Sequence, residues 1–456
     1  MRILKISAGL APKRAGGVPA YVQELRDELV SRGHKIIFLD TLNTDGSRKV
    51  RITQTRTSPS EFSFYNSGAS LPWGEYLGTP RSDIHASKQT EKCFLDFVAE
   101  QDPDVIHFHE LLCFPMELVS RLRSCGHKLL FTTHDYFSIC PTIKLLLPNL
   151  ETCTLQGERL RCDSCVRRSA GAFVSPFYHR NRRRLERFPR FFSSLARRLD
   201  KLCGRVAMPW VHSLRAHQTR RREALRHLRA FHLILCISRA QRELMERITG
   251  PLPNVREIYL SRKTYGHGCR VAACSRHDSV FRFVALNVND ASKGRDLLLR
   301  EFAELRGETK GVELHVFGGQ AVDQTGVVYH PNYVPGDLEV ISAEMDVGVM
   351  PSIWAETYGY VGPELLTRGV PLIVSSAGAM KEYVTVGFNG LIFNQKEPGS
   401  LRARMRQLWA DKNLLLKLKS NASSSKKGLT SFYQHVDMME GIYREFDRGN
   451  ATQSLG

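Results

Sequence analysis

The densest concentration of chemically capable residues lies between Pro351 and Pro371, where Glu356 and Glu364 bracket Thr357-Tyr358-Gly359-Tyr360-Val361-Gly362-Pro363. The segment follows a strand pattern and opens a helix pattern, and such a junction in a parallel sheet is where ligands bind. Free N–H groups at the helix start, made approachable by Gly359 and Gly362, can hold a diphosphate. A carboxylate on each side of that anion site can accept charge-assisted hydrogen bonds from vicinal hydroxyls, which sugars and riboses supply. Two acids eight positions apart are common by chance. The glycine-bearing helix entrance between them is what raises the pair to a candidate site.

A second signal is the cysteines. Cys140, Cys153, Cys162 and Cys165 fall within 26 residues, the last two at a C-x-x-C spacing that lets two thiolates reach one tetrahedral ion. A structural zinc in a small insert is one reading and plain thiols the other. Eleven cysteines in 456 residues, with no signal-peptide pattern at the start, argue against a disulfide framework and for a soluble cytoplasmic protein.

Charge is the third. The formal net charge is +19, and it is concentrated: 167–229 carries eighteen Lys and Arg against Glu186, Asp200 and Glu223. Arg182-Arg183-Arg184, Arg197-Arg198 and Arg220-Arg221-Arg222 alternate with apolar residues such as Phe191, Leu195, Leu199 and Leu202 at helical spacing. This reads as basic amphipathic helices, suited to an anionic membrane surface. A solvated helical face is the plainer account. Nucleic acid is less favoured, because no base-reading motif accompanies the charge.

These residues need a scaffold, and the hydrophobic patterning describes one. Strand patterns at Arg2–Ala8, Lys35–Asp40, Asp104–Phe108, Lys128–Thr133 and Leu233–Ile237 alternate with helix patterns, beginning with Tyr21–Ser31, and Ser238 is a good N-cap for the helix that follows. The Ser-, Thr-, Gly- and Pro-rich stretch 41–90 reads as loop and short elements, a place for a lid or acceptor loop. After the Pro- and Gly-bearing Gly250–His277, a second series opens at Phe281–Leu286. It continues through a helix at Asp296–Leu305, strands at Glu313–Phe317 and Asp346–Met350, a helix at Val361–Arg368 and a strand at Pro371–Ser375. The expected architecture is α/β, two doubly wound Rossmann-like domains. Residues 1–255 form the first, with the cysteine cluster (140–165) and basic insert (167–229), and 256–278 a linker. The second spans 279–425, and 426–456 form a helical tail packing back on the first domain.

The Glu356 and Glu364 pair, separated by seven residues, resembles the hallmark of the retaining family 4 (group 1) glycosyltransferases of the GT-B fold. The resemblance extends over most of the chain. It includes Gly16-Gly17 with Tyr21-Val22, Arg32-Gly33-His34, Asp104 to His109, His134-Asp135-Tyr136, Lys293-Gly294, Gly318-Gly319, Gly369-Val370-Pro371, Gly378 with Glu382, and Gly387-Phe388-Asn389-Gly390, in the family's order. It implies two domains facing a central cleft and transfer of a hexosyl group from a nucleotide-diphosphate sugar to a glycan or lipid-linked acceptor, with retention of configuration and no catalytic metal. Cell-surface polysaccharide or lipopolysaccharide synthesis at the inner membrane face would suit it.

By that resemblance Glu356 contacts the donor-sugar hydroxyls, Glu364 the ribose, and the backbone of Tyr358, Gly359, Tyr360 and Val361 the diphosphate. Lys293 neutralises the leaving diphosphate, and Gly16 and Gly17 let the first-domain loop approach it. His134 hydrogen-bonds the donor sugar, and His109 faces the acceptor side; a satisfied structural histidine is the competing account of each. Val288 stands where the family usually carries an arginine, with Arg295 the candidate to compensate. Competing readings of the same chain are a nucleic-acid-binding or non-catalytic protein on this fold, and a GT-B epimerase or phosphorylase.

Overall fold

A computed structural model describes residues 1–43, 47, 49–56, 58–67, 83–147, 149–153, 162, 214–252, 254–265, 280–289, 291–425 and 429–448. Cys165, most of the basic insert and most of the linker lie outside the described residues.

Two sheets organise the chain. The first has the order β3-β4-β2-β1-β5-β6-β7-β8, with β1 (Arg2–Ser7), β2 (Lys35–Asn43), β3 (Arg51–Gln54), β4 (Glu61–Tyr65), β5 (Val105–Phe108), β6 (Leu129–Thr133), β7 (Leu233–Cys236) and β8 (Val255–Glu257). All pairings are parallel except β3 with β4. The central strands β5, β6 and β7 are buried at every residue, the uniform apolar run expected of parallel strands covered on both faces. One face meets α2 (Lys88–Gln101) and α3 (Glu117–Ser124) in a core that includes Leu4, Ile6, Phe94 and Leu118. The other is covered by α1 (Gly17–Ser31). The 41–90 stretch supplies β3 and β4 at the sheet edge and the start of α2. Its polar, half-exposed strand residues hide the period-two signal.

The second sheet runs β11-β10-β9-β12-β13-β14, all parallel. Its strands are β9 (Phe281–Leu286), β10 (Val312–Phe317), β11 (Val327–His330), β12 (Val347–Met350), β13 (Leu372–Ser375) and β14 (Gly390–Phe393). The long helices α6 (Arg295–Glu308), α9 (Ser400–Ala410) and α10 (Lys412–Ser424) pack on one face. The short α7 (Leu338–Glu344) and α8 (Val361–Leu366) pack on the other. The last helix, α11 (Phe432–Arg448), crosses back to the first sheet: Phe432, Val436, Met439, Ile442 and Tyr443 share a core with Ile3, Tyr21 and Leu130. Arg32 and His34 hold it from outside, through Asp437 at 2.6 Å and Glu440 at 3.0 and 2.7 Å. The first-sheet helices are completed by α4 (Leu214–Leu228) and α5 (Arg239–Thr249), the latter capped by Ser238, whose hydroxyl accepts from Gln241 N at 3.1 Å.

The basic pattern at 167–229 is only partly an outer face. Arg220 is 2% exposed and paired with buried Asp83 at 2.5 Å, and it also donates to the Phe137 carbonyl at 2.9 Å. Arg221 donates to Cys162 Sγ at 3.2 Å. Arg222, Arg226 and Arg229, at helical spacing, are exposed. The expectation of a wholly solvent- or lipid-facing triplet is therefore corrected: one arginine of the three is a core ion pair. Removing one partner of a buried pair strands the other charge. Arg220→Met is expected to cost about 3–5 kcal/mol in urea denaturation, whereas Arg222→Met should stay within about 0.5 kcal/mol.

Candidate functional site

The loops after β9, β12 and β13 meet at the carboxyl edge of the second sheet, and Glu356 is where they join. The residue is 5% exposed, its carboxylate ion-paired with Lys293 and hydrogen-bonded by Ser352 Oγ at 2.8 Å. Lys293 ends the 3-10 turn Ala291–Lys293, which is stitched to the Glu356 loop because Ile353 N donates to Ser292 O at 2.9 Å. Gly378 lies so close that a Cβ there would overlap the Glu356 backbone, and Ala379 N donates to Glu356 O at 2.8 Å. Glu356 is thus fixed in backbone and side chain together.

Glu364, one turn into α8 and 4% exposed, accepts from Thr264 Oγ1 at 2.9 Å and Tyr333 Oη at 3.3 Å, with Arg262 at 3.6 Å. Burial pushes its carboxyl above the ordinary range, against the opposing pull of Arg262. Arg262 is itself held by both oxygens of Glu24 at 3.0 and 2.9 Å. Arg262, Thr264 and Tyr333 had no signal in the local sequence, being far from the glutamates along the chain.

The glycines around the helix entrance have a more specific reason than open access to N–H groups. A Cβ at Gly362 would overlap the Tyr383 ring, and Gly359, at φ +82°, lies under the Tyr383 hydroxyl, which donates to the Gly359 carbonyl at 3.2 Å. Gly17 faces the Tyr360 ring so closely that a Cβ would overlap it. The Gly16-Gly17 loop therefore meets the second domain at Tyr360. Tyr358 is 3% exposed within the first-domain core that α11 completes, and Val361 starts α8.

His134 directly follows β6 at the same junction. Thr357 Oγ1 donates to its carbonyl at 2.8 Å, and its ring Nδ1 has no hydrogen-bond partner among the described residues. Glu110 Oε1, Trp354 Nε1 and Tyr136 Oη share that status, and the Tyr136 ring stands edge-on to Trp354 at 6.3 Å. Buried polar atoms left without partners among the described residues, from both domains, fit a polar ligand. His109 does not face an acceptor: it is fully buried between Lys5, 3.3 Å from its Nε2, and His134 Nε2, 3.4 Å from its Nδ1.

Val288 is a core residue at 4% exposure, and Arg295 donates instead to the Gln320 carbonyl, away from Glu356. Lys144, from the first domain, reaches Ser292 Oγ beside Lys293 at 2.6 Å. Of the cysteines, Cys140 and Cys162 are buried, with Cys140 Sγ 3.2 Å from Thr142 Oγ1, and Cys153 is half-buried. Cys165 lies outside the described residues. Among the described residues no three His, Cys, Asp or Glu side chains are placed to hold a metal ion, so the expected four-cysteine zinc site is not assembled from the three that are described.

The comparisons with known proteins bear on this geometry. Residues 279–411 match the family described as glycosyl transferases group 1, and residues 15–209 match glycosyltransferase family 4. The chain belongs to these glycosyltransferases. Its fold agrees: sucrose-phosphate synthase from Thermosynechococcus elongatus superposes with a TM-score of 0.64 at 15% identity, over 98% of this chain and 99% of that one. Anabaena HepE in complex with UDP gives 0.60 at 13% identity over 98% and 100%. WaaG, a glycosyltransferase involved in lipopolysaccharide biosynthesis, gives 0.57 at 10% over 97% and 99%. The fold of this glycosyltransferase is GT-B, two Rossmann-like domains. No curated protein sequence matches the chain. Among the described residues no helix is long and apolar enough to cross a membrane.

The buried histidines set a pH limit. Burial pushes His134 and His435 down to about 4 and holds His107 and His109 well below the ordinary value. In the unfolded chain the same groups take up protons near pH 6.5, so below that value protons favour unfolding. Their contribution to stability is complete above about pH 6.5 and is lost as pH falls towards about 4. The melting temperature is expected to fall steeply across that window, and a His435→Phe variant should flatten the slope.

Proposed function

We propose that this glycosyltransferase moves a hexosyl group from a nucleoside-diphosphate sugar to a glycan or lipid-linked acceptor, with retention of anomeric configuration and without a catalytic metal. The observation that carries the reading is the Glu356–Lys293 pair, whose carboxylate is buried and backbone-pinned while the half-buried lysine ammonium stays open to a ligand, at the junction where the ring Nδ1 of His134 has no partner among the described residues. In this reading the Lys293 ammonium offsets the charge that develops on the leaving diphosphate. Glu356 and His134 hold hydroxyls of the donor sugar, and Glu364, with Tyr333 and Thr264 beside it, takes the ribose. Gly16 and Gly17 bring the first-domain loop to the phosphates, which lie along the backbone of Tyr358 to Val361. A retained configuration with no covalent nucleophile requires attack and departure on one face of the sugar, so positioning carries the catalysis.

Thermal-shift measurements with UDP, GDP and ADP and their sugar conjugates test the donor. One nucleotide is expected to raise the melting temperature, and Glu364→Ala to abolish the shift. With the donor known, Lys293→Ala should lower kcat by about 10²–10³-fold, the scale of losing one preorganised charge-stabilising group. No shift with any nucleotide at millimolar concentration refutes the reading.

The exposed Arg222 and Arg226 of α4, with Arg229 just past its end, support a peripheral position on an anionic membrane, each arginine contributing about 1 kcal/mol near the surface. Vesicles of anionic lipid should retain the protein at low salt and release it at high salt. Replacing the three arginines by glutamine should abolish retention, and unchanged retention refutes the assignment.

A further inference from the structure

The sheet face under α1 and α11 carries a row of polar side chains where apolar ones would pack. Along β1 the alternation Ile3, Lys5, Ser7 puts Lys5 on this face, and Lys5 pairs in register with His107 of β5. His107 Nε2 contacts Thr132 Oγ1 of β6 at 2.8 Å. Lys5, His107, His109 and Thr132 are fully inaccessible. The helices that cover them add Tyr21, His435 and Tyr443: Tyr21 Oη is 2.8 Å from His435 Nε2, and Tyr443 Oη is 2.8 Å from His107 Nδ1. A buried amine is costly unless its hydrogens find lone pairs. Lys5 Nζ has two within reach, Tyr443 Oη and His109 Nε2, both at 3.3 Å.

Burial first, and then Arg26, lower the pKa of the Lys5 amine; with Lys5 donating to both partners, as either charge state of an amine allows, the contacts take a direction. Burial keeps the imidazoles neutral near pH 7, and a neutral imidazole has one donor and one acceptor nitrogen. On one arm Tyr443 accepts from Lys5 and gives its own hydrogen to His107 Nδ1, which leaves His107 Nε2–H to donate to Thr132. On the other arm His109 accepts from Lys5 at Nε2 and so carries its hydrogen on Nδ1, 3.4 Å from His134 Nε2. His134 accepts there, and its remaining hydrogen sits on Nδ1, the atom without a partner among the described residues.

We propose that Lys5 is a positioning residue that acts through His109 to fix the tautomer of His134, so that His134 presents an Nδ1–H donor at the domain junction. The group His134 meets is then an oxygen acceptor, a sugar hydroxyl or a phosphate oxygen, and His134 takes no proton from it. The placing of a ligand beside His134 rests on the proposed function. The tautomer is a property of the free protein and is tested without substrate.

The test is nitrogen NMR of the full-length protein labelled with 15N in the histidine rings, at pH 7.5, with His109→Gln and His134→Gln used to assign the two signals. Expected is a protonated Nδ1 and an unprotonated Nε2 for both residues, and in Lys5→Met a shift of His134 towards the Nε2–H form. A hydrogen on Nε2 of His134 in the unmodified protein overturns the proposal, as does an unchanged tautomer in a Lys5→Met protein with native circular dichroism. If Lys5→Met does not fold, Tyr443→Phe supplies the comparison. It keeps the His109 contact and should leave the His134 tautomer as it was; a change there overturns the route through His109. A donor-binding failure with the expected tautomer counts against the proposed function and leaves this inference standing.

Discussion

A carboxylate taken out of water must be met by a cation and by hydrogen-bond donors, or the fold loses several kcal/mol. Glu356 imposes that condition on the second domain. Lys293 and Ser352 satisfy the side chain, and to bring Lys293 there the turn after β9 must lie against the loop after β12. Gly294, at φ +77°, makes this possible because any side chain would strike the Pro351 carbonyl. The loop after β13 closes from the other side through Gly378 and Ala379. Three loops at the carboxyl edge of one parallel sheet are thus tied to a single buried charge.

The first domain meets this assembly by several unrelated contacts. Glu382 of the second domain accepts from the backbone N–H groups of Arg239 and Ala240 at 3.1 and 2.6 Å, at the start of α5, and from Tyr259 at 2.8 Å. A carboxylate at a helix N-terminus gains from the free N–H groups and the helix dipole. Lys144 to Ser292, Thr357 to the His134 carbonyl, and Thr264 to Glu364 add polar ties. The Tyr360 ring lies on Gly17. Between these contacts lies a pocket of about 470 Å³, lined in part by Thr152, Glu243, Arg247, Gly378, Lys381 and Lys396. It adjoins Glu356 through Ala355 and Gly378 and is lined by side chains of both charge signs.

Most of the elements were legible in the sequence because parallel strands covered on both faces are apolar at every position. The strand patterns at Phe281–Leu286 and Lys128–Thr133 are reproduced within a residue. What escaped were the edge strands β3, β8, β11 and β14 and β4 beside β3, each of five residues or fewer, and helices such as α3 with only two turns. The glutamate pair was legible for a similar reason: its two members and the glycines between them are consecutive, so one window of sequence carries the motif. Arg262, Thr264, Tyr333 and Tyr383 escaped, since each reaches the site from a different segment.

By itself the sequence determined the alternation of strands and helices, the two halves and the spacing that sets Glu356 and Glu364 on either side of a helix entrance. These depend on local periodicity and on chain neighbours. Tertiary structure alone decided which polar groups are buried and against what. Arg220 reads like Arg222 in sequence, yet one closes an ion pair with Asp83 and the other meets solvent, because α4 turns only one of its faces to the core. His109 and His134 likewise look alike at two strand ends. The difference comes from α11, about three hundred positions later in the chain, whose Tyr443 shares the Lys5 amine with His109 and leaves His134 at the junction. Burial is set by which surfaces meet, and no window along the chain contains both.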